Sequence, residues 1–155
     1  MTAQSSIAIH AAVGKTHVAY LRRMIAACLG HIRHPPQDIS IALVNDATMS
    51  DLHQRFMNIP GPTDVLTFEL DHDDRTGKVT AGEIVICVPE AKRRCRENGQ
   101  PIQNELLLYA LHGMLHLSGY DDKTTAQYRR MHQAEDRILS RVGVGNVFTS
   151  GMTKS

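Results

Sequence analysis

Apolar residues recur along this chain in two periods, and the switches between them predict its elements. Ile7 and Ile9 alternate with small or polar neighbours and predict a short first strand. From Lys15 to Leu29, the residues Val18, Leu21, Met24, Ile25, Cys28 and Leu29 follow helical spacing, and Gly30 offers a stop. Pro35-Pro36 breaks the chain ahead of Ile39 to Val44, a β-branched apolar run that predicts a strand. Asn45-Asp46 can cap a helix with Met49, Leu52, His53 and Phe56 on one face. Pro60-Gly61-Pro62 forces a turn. Val65, Leu66 and Phe68 predict another strand, Asp71 to Lys78 a polar loop or hairpin tip, and Ile84 to Val88 the most strand-like run of all.

Beyond Val88 the helical period takes over. Pro89 opens a helix rich in Lys92, Arg93, Arg94 and Arg96, and Asn98-Gly99 closes it. Pro101 suits the first turn of the next helix, in which Leu106, Leu107, Ala110, Leu111, Met114 and Leu115 lead to Gly119. A last helix is predicted from Thr124 to Val142, with Tyr128, Met131, Glu135, Ile138 and Leu139 in sequence. Residues 146–155 are weakly apolar, contain Ser, Thr and Gly, and are expected to form a loose tail. No repeat or linker interrupts residues 1–145. The order predicts one α+β domain, a mixed sheet of about four strands packed by about five helices.

Composition narrows the classes. At 155 residues the chain suits one domain with its own core. Seventeen basic and sixteen acidic residues leave a net charge of +1, which gives no global pull towards nucleic acid but permits a local basic patch. Cys28, Cys87 and Cys95 form no disulfide framework and suit a reducing compartment. No run reaches the ~18 apolar residues of a membrane span, and Met1 to His10 lacks a signal-peptide pattern. A cytoplasmic protein without membrane partners is expected.

The chemistry concentrates in His112-Gly-Met-Leu-His116-Leu-Ser-Gly-Tyr-Asp-Asp122. Residues four apart on a helix lie about 40° apart around it and ~6 Å along it, so His112 and His116 project side by side. Two such imidazoles can share one tetrahedral ion. A third ligand on the same straight helix would lie too far along the axis. Gly119 can reverse the chain and return Asp122 to the histidines. Three protein ligands leave a fourth position for water, the layout of a catalytic zinc site. The plain alternative is two partly buried histidines on a core helix. Peptidases of the H-E-x-x-H type place their general base directly after the first histidine, where this chain has Gly113. A helix-interior glycine costs ~1 kcal/mol against alanine, so Gly113 answers either to tight packing or to substrate access.

This segment resembles the YbeY family of metal-dependent single-strand endoribonucleases, whose signature is H-G-x-L-H-L-x-G-Y-D-H. Every position agrees up to Asp121, and the last differs. Upstream, Val44 to Leu52 resembles the family's N-D-x-x-M-x-x-L-N segment, Pro62 to Phe68 its P-T-D-V-L-S-F, and Gly82 to Ile86 its G-D-I-x-I strand. Glu105 stands where the family carries a glutamate on the metal helix, and the resemblance runs from about residue 39 to 122.

The resemblance implies a zincin-like metal helix and one Zn2+, or another divalent transition metal, held by His112, His116 and Asp122. The family's third ligand is histidine. Asp122 would replace it, giving a 2-His-1-carboxylate set that iron can also occupy, with Asp121 as the adjacent competitor. Family members also carry an arginine associated with RNA cleavage, at the position of Met57 here. Arg55, two residues away, is the candidate to supply that guanidinium; the plain alternative is a surface arginine. The implied activity is hydrolysis of single-stranded RNA. Its setting would be maturation of the 3′ end of small-subunit ribosomal RNA and late ribosome quality control, with the small subunit and its proteins as partners. The basic run Lys92 to Arg96 is either an RNA-facing surface or a solvated helix face. A non-catalytic, metal-stabilised ribosome-assembly factor and a metalloprotease-like hydrolase are the competing readings. Met57 favours the first, and Gly113 opposes the second.

Overall fold

The computed structural model describes residues 5–145, so the tail expected at 146–155 lies outside the described residues. In chain order the elements are β1 (Ser6–Ala11), α1 (Val18–Leu29, entered through a 3₁₀ turn at Lys15–His17), β2 (Asp38–Val44), α2 (Asp46–Met57), β3 (Val65–His72), β4 (Val79–Cys87), α3 (Val88–Asn98), α4 (Ile102–Leu117) and α5 (Thr125–Arg141). The class is the expected one, α+β with a four-stranded mixed sheet and five α-helices.

The sheet runs β1-β2-β4-β3, with β1, β2 and β4 parallel and β3 antiparallel to β4. Parallel strands are covered on both faces, which is why β2 and β4 read as continuous apolar runs rather than clean alternations. Ile39, Ile41 and Leu43 of β2 and Ile84 and Ile86 of β4 face the larger core, shared with α1, α4 and α5. Val44, Val85, Cys87 and Leu66 face a smaller cluster under α2, closed by Met49. Both hairpin strands are longer than the hydrophobic pattern implies. β3 continues to His72 and β4 begins at Val79, because β3 is an edge strand whose outer half needs no apolar face.

Local chemistry sets the helix ends. The Asn45 side chain accepts from Thr48 N–H at 2.9 Å and starts α2. Thr124 and Gln127 form a reciprocal capping box at the start of α5. Gly99 takes the left-handed conformation that ends α3. A second lock joins α2 to α3. The Arg93 guanidinium spans both Asp46 carboxylate oxygens at 2.7 and 3.0 Å, and its Nε donates to Glu90 at 2.7 Å.

α4 is buried on nearly all sides, from Glu105 through Leu117, with only His112 and His116 partly open in that stretch. It lies against the sheet at a separation only glycine allows. A Cβ on Gly113 would stand 2.8–2.9 Å from three side-chain carbons of Ile84. Reciprocally, a Cβ on Gly82 of β4 would stand 2.4 Å from Leu117 on α4. This resolves the two roles open for Gly113: it is the packing contact.

Gly113→Ala is therefore expected to lower stability, since overpacking costs ~1–3 kcal/mol against a propensity gain of ~1 kcal/mol. Urea denaturation should place its midpoint below wild type. The double variant Gly113→Ala/Ile84→Ala should lose less than the sum of the single losses. Simple additivity would show that Ile84 is not what excludes the methyl group.

Candidate metal centre

The last turn of α4 is where backbone geometry becomes chemistry. Tyr120 N–H donates to Leu115 O at 3.0 Å and Gly119 N–H to His116 O at 3.1 Å. Gly119 sits at φ +112°, so these bonds close a left-handed helix stop of the Schellman kind. The chain turns back, and Asp122 Oδ2 arrives 3.5 Å from His116 Nε2 and 3.7 Å from His112 Nε2. One ligand atom from each of the three lies within 4.8 Å of the others, a group that can hold a metal ion. Two bonds of ~2.0–2.1 Å at a tetrahedral angle put ligand atoms roughly 3.3–3.4 Å apart, so the two carboxylate–imidazole spacings need to close by only a few tenths of an ångström.

The second nitrogens decide which lone pairs face that point. His116 Nδ1 lies 3.2 Å from Tyr120 O. A carbonyl can only accept, so Nδ1 carries the proton and Nε2 offers its lone pair. His112 Nδ1 lies 3.3 Å from Glu135 Oε2 on α5, which orients that ring the same way. Glu135 is fully buried and also meets His132 Nδ1 at 2.5 Å. Burial pushes the Glu135 carboxyl up, but hydrogen bonds from His112 and His132 outweigh it and hold the pKa below the usual range. For His112, burial opposes the charged form. The hydrogen bond and charge of Glu135, with Asp122 and Asp64, reverse that and raise its pKa.

The trio opens into a cleft of about 1250 Å³. β3 supplies one wall through Val65, Thr67 and Glu69, and α3 another through Arg94 and Asn98. Among the sequence-predicted site residues, the structure brings His112, His116 and Asp122 together. Asp121 is turned elsewhere: its Oδ1 accepts from Asp122 N–H at 2.8 Å, and its Oδ2 lies 3.9 Å from Lys123 Nζ. Arg55 is not brought to the cleft. Its Nη2 donates to Asp51 at 2.9 Å in an exposed pair one turn back on α2, and Met57 lines the cleft instead. In the sequence alone Glu135 is one more residue of the last helix, without a role. The signal was there, a carboxylate on the buried stripe of Met131, Ile138 and Leu139.

Known proteins resemble the chain along most of its length. The model of the YbeY family, described as endoribonuclease YbeY, matches residues 6–143. A protein of Thermobifida fusca named endoribonuclease YbeY is 38% identical over 127 residues, 77% of this chain and 82% of its own. One of the same name from Heliobacterium modesticaldum is 35% identical over 141 residues, covering 83% and 85%. That of Rhodococcus opacus is 37% identical over 114 residues, 68% of this chain, but the match spans only 63% of that relative's length. The solution structure of the Thermotoga maritima protein TM1509 superposes with a TM-score of 0.61 at 26% identity, over 87% of this chain and 90% of that one.

Replacing Glu135 by Gln should weaken metal binding about 10–100-fold, and His116→Ala should remove it, as read by competition with a chromophoric chelator. Stoichiometric metal in purified His116→Ala would sink the assignment. Protons compete for the imidazoles, and the raised His112 pKa starts that competition above its ordinary value of about 6.5. Affinity should therefore decline as pH falls through that range. Glu135→Gln should move the decline to lower pH.

Proposed function

The chain belongs to the YbeY endoribonuclease family, and from that premise we propose that it is a single-strand-specific metallo-endoribonuclease. Its work would be maturation of the 3′ end of small-subunit ribosomal RNA and the quality control of late ribosomes, in the cytoplasm. The observation that carries the reading is the convergence of His112, His116 and Asp122 in the lining of one cleft, each imidazole oriented by a buried or backbone acceptor.

His112, His116 and Asp122 would hold one Zn2+, with other divalent transition metals acceptable to a 2-His-1-carboxylate set. The ion would supply Lewis-acid polarisation of a phosphoryl oxygen and a more acidic water. The rest falls to the chain. Glu135 fixes the His112 ring, and the Tyr120 carbonyl fixes His116, so both rings keep their Nε2 lone pairs aimed at one point. Asp122 reduces the charge of the site by one relative to a third imidazole, so the water should be less acidified than in a three-histidine site. A cleft bounded by an edge strand and helix faces would suit an extended, unpaired backbone. Among the described residues no helix is long and apolar enough to cross a membrane.

A second reading has an observation of its own. Met57 lines the cleft while Arg55 faces Asp51, which favours a non-catalytic, metal-stabilised assembly factor. The packing of Gly113 on Ile84 leaves no room for a peptidase-type base beside His112.

The two readings separate in one assay. Purified, metal-analysed protein is incubated with a labelled ribosomal RNA 3′ fragment, single-stranded or annealed to its complement. Cleavage of the single strand, abolished by chelator and reduced at least ~100-fold in His116→Ala, is the expected result. Stoichiometric metal with no cleavage would leave the assembly factor standing.

A further inference from the structure

The basic run of α3 is divided by the fold. Arg93 is committed to Asp46 and Glu90 in the lock that joins α3 to α2. Lys92 and Arg96 are exposed and are not part of the cleft wall. Arg94 is exposed and does line the cleft, on the same helix face as Asn98 four residues later. Tyr109 of α4 lines the same end, one turn before His112 and so ~4.5 Å short of it along the axis. Arg94 is close enough for its charge to reach that phenol. Burial, with Glu105 and Asp64, pushes the Tyr109 pKa up, and Arg94 pulls the other way.

The charge of the cleft makes this position matter. Among the described residues, six carboxylates besides Asp122 contribute to its lining, Asp64, Glu69 and Glu105 included. Such a wall repels a polyanion. Among the described residues, Arg94 and Lys123 are the Lys and Arg side chains in the lining, and Lys123 stands beside Asp121 next to the trio. A strand crossing from the trio towards α3 therefore meets its guanidinium at Arg94. The planar fork can give two N–H bonds to one phosphate, a contact that positions the strand without reading its bases.

We infer that Arg94 is the phosphate-binding residue of this cleft, holding a backbone phosphate of single-stranded RNA along from the one at His112, His116 and Asp122. The inference rests on the ribonuclease reading and adds to it the residue that brings the polyanion into an acidic cleft.

The test is binding of a fluorescently labelled single-stranded RNA to the full chain, followed by anisotropy over a salt series with chelator present to prevent cleavage. Arg94→Gln is compared with Arg96→Gln, which removes the same charge from the same helix away from the cleft. Arg94→Gln should weaken binding about tenfold and reduce the slope of log affinity against log salt by about 0.7, the signature of one lost phosphate contact on a single strand. Arg96→Gln should do neither to a comparable degree, and Arg94→Lys should recover part of the loss. With metal restored, Arg94→Gln should raise KM and leave kcat within a few-fold. Unchanged binding in Arg94→Gln, or equal losses in Arg94→Gln and Arg96→Gln, would overturn the assignment while the ribonuclease reading stands. If the wild type binds no RNA, that reading falls and Arg94 falls with it.

Discussion

The close approach of α4 to β4 governs the rest of the molecule. Two glycines make it possible from opposite sides, Gly113 beneath Ile84 and Gly82 beneath Leu117. With α4 pressed to the sheet, its other sides are free for α1, α3 and α5 to cover, and a helix with so little polar surface can be stable in water. The same contact fixes the rotation of α4 about its axis. His112 immediately precedes Gly113, so the depth of that glycine in the sheet sets the angle at which the first imidazole leaves the helix. Packing and chemistry are one constraint here.

Rotation alone does not make a ligand group. The third member must come back from beyond the helix end, and a single conformational choice brings it. Gly119 enters the positive-φ region, the Schellman bonds to Leu115 and His116 satisfy the carbonyls that would otherwise be orphaned, and Asp122 is delivered over the two rings. The Tyr120 carbonyl that the turn exposes is then used to orient His116. α5 supplies the matching acceptor for His112, and its start is fixed by the Thr124–Gln127 capping box. A buried carboxylate is tolerated at Glu135 because two imidazoles face it, so burial is offset by charge-assisted bonds.

What could be read from the residues follows from this division. Helix spacing placed His112 and His116 side by side, and a glycine after the helix implied a returning ligand, because both rules are local. Packing and access are equal readings of Gly113 in the sequence, because its partner Ile84 lies on a distant strand that no local rule names. Arg55 illustrates the opposite failure. Two positions along a helix are about 200° around it, so proximity in sequence to Met57 put its guanidinium on another face, where Asp51 one turn back receives it. The outer half of β3 escaped the hydrophobic pattern because an edge strand can be polar there. Glu135 is an ordinary helix residue to any local rule, and only the burial of its apolar neighbours on the same stripe sets it apart.

The electrostatic problem of the cleft is sharper than the chain's near-zero net charge suggests. A divalent ion held by one carboxylate would carry a net +1, and the lining has more carboxylates than that would offset. A phosphodiester strand would therefore be drawn to particular cations rather than to a general positive field. Helix phase decides which side chains those are. On α3, consecutive arginines diverge by about 100°, and one turns to Asp46 and Glu90 while the next turns to the cleft. The first holds the wall in place, and the second gives that wall its charge. The lock at Arg93 thus does more than join two helices: by fixing the rotation of α3 it fixes where Arg94 points, as Gly113 does for His112 on α4.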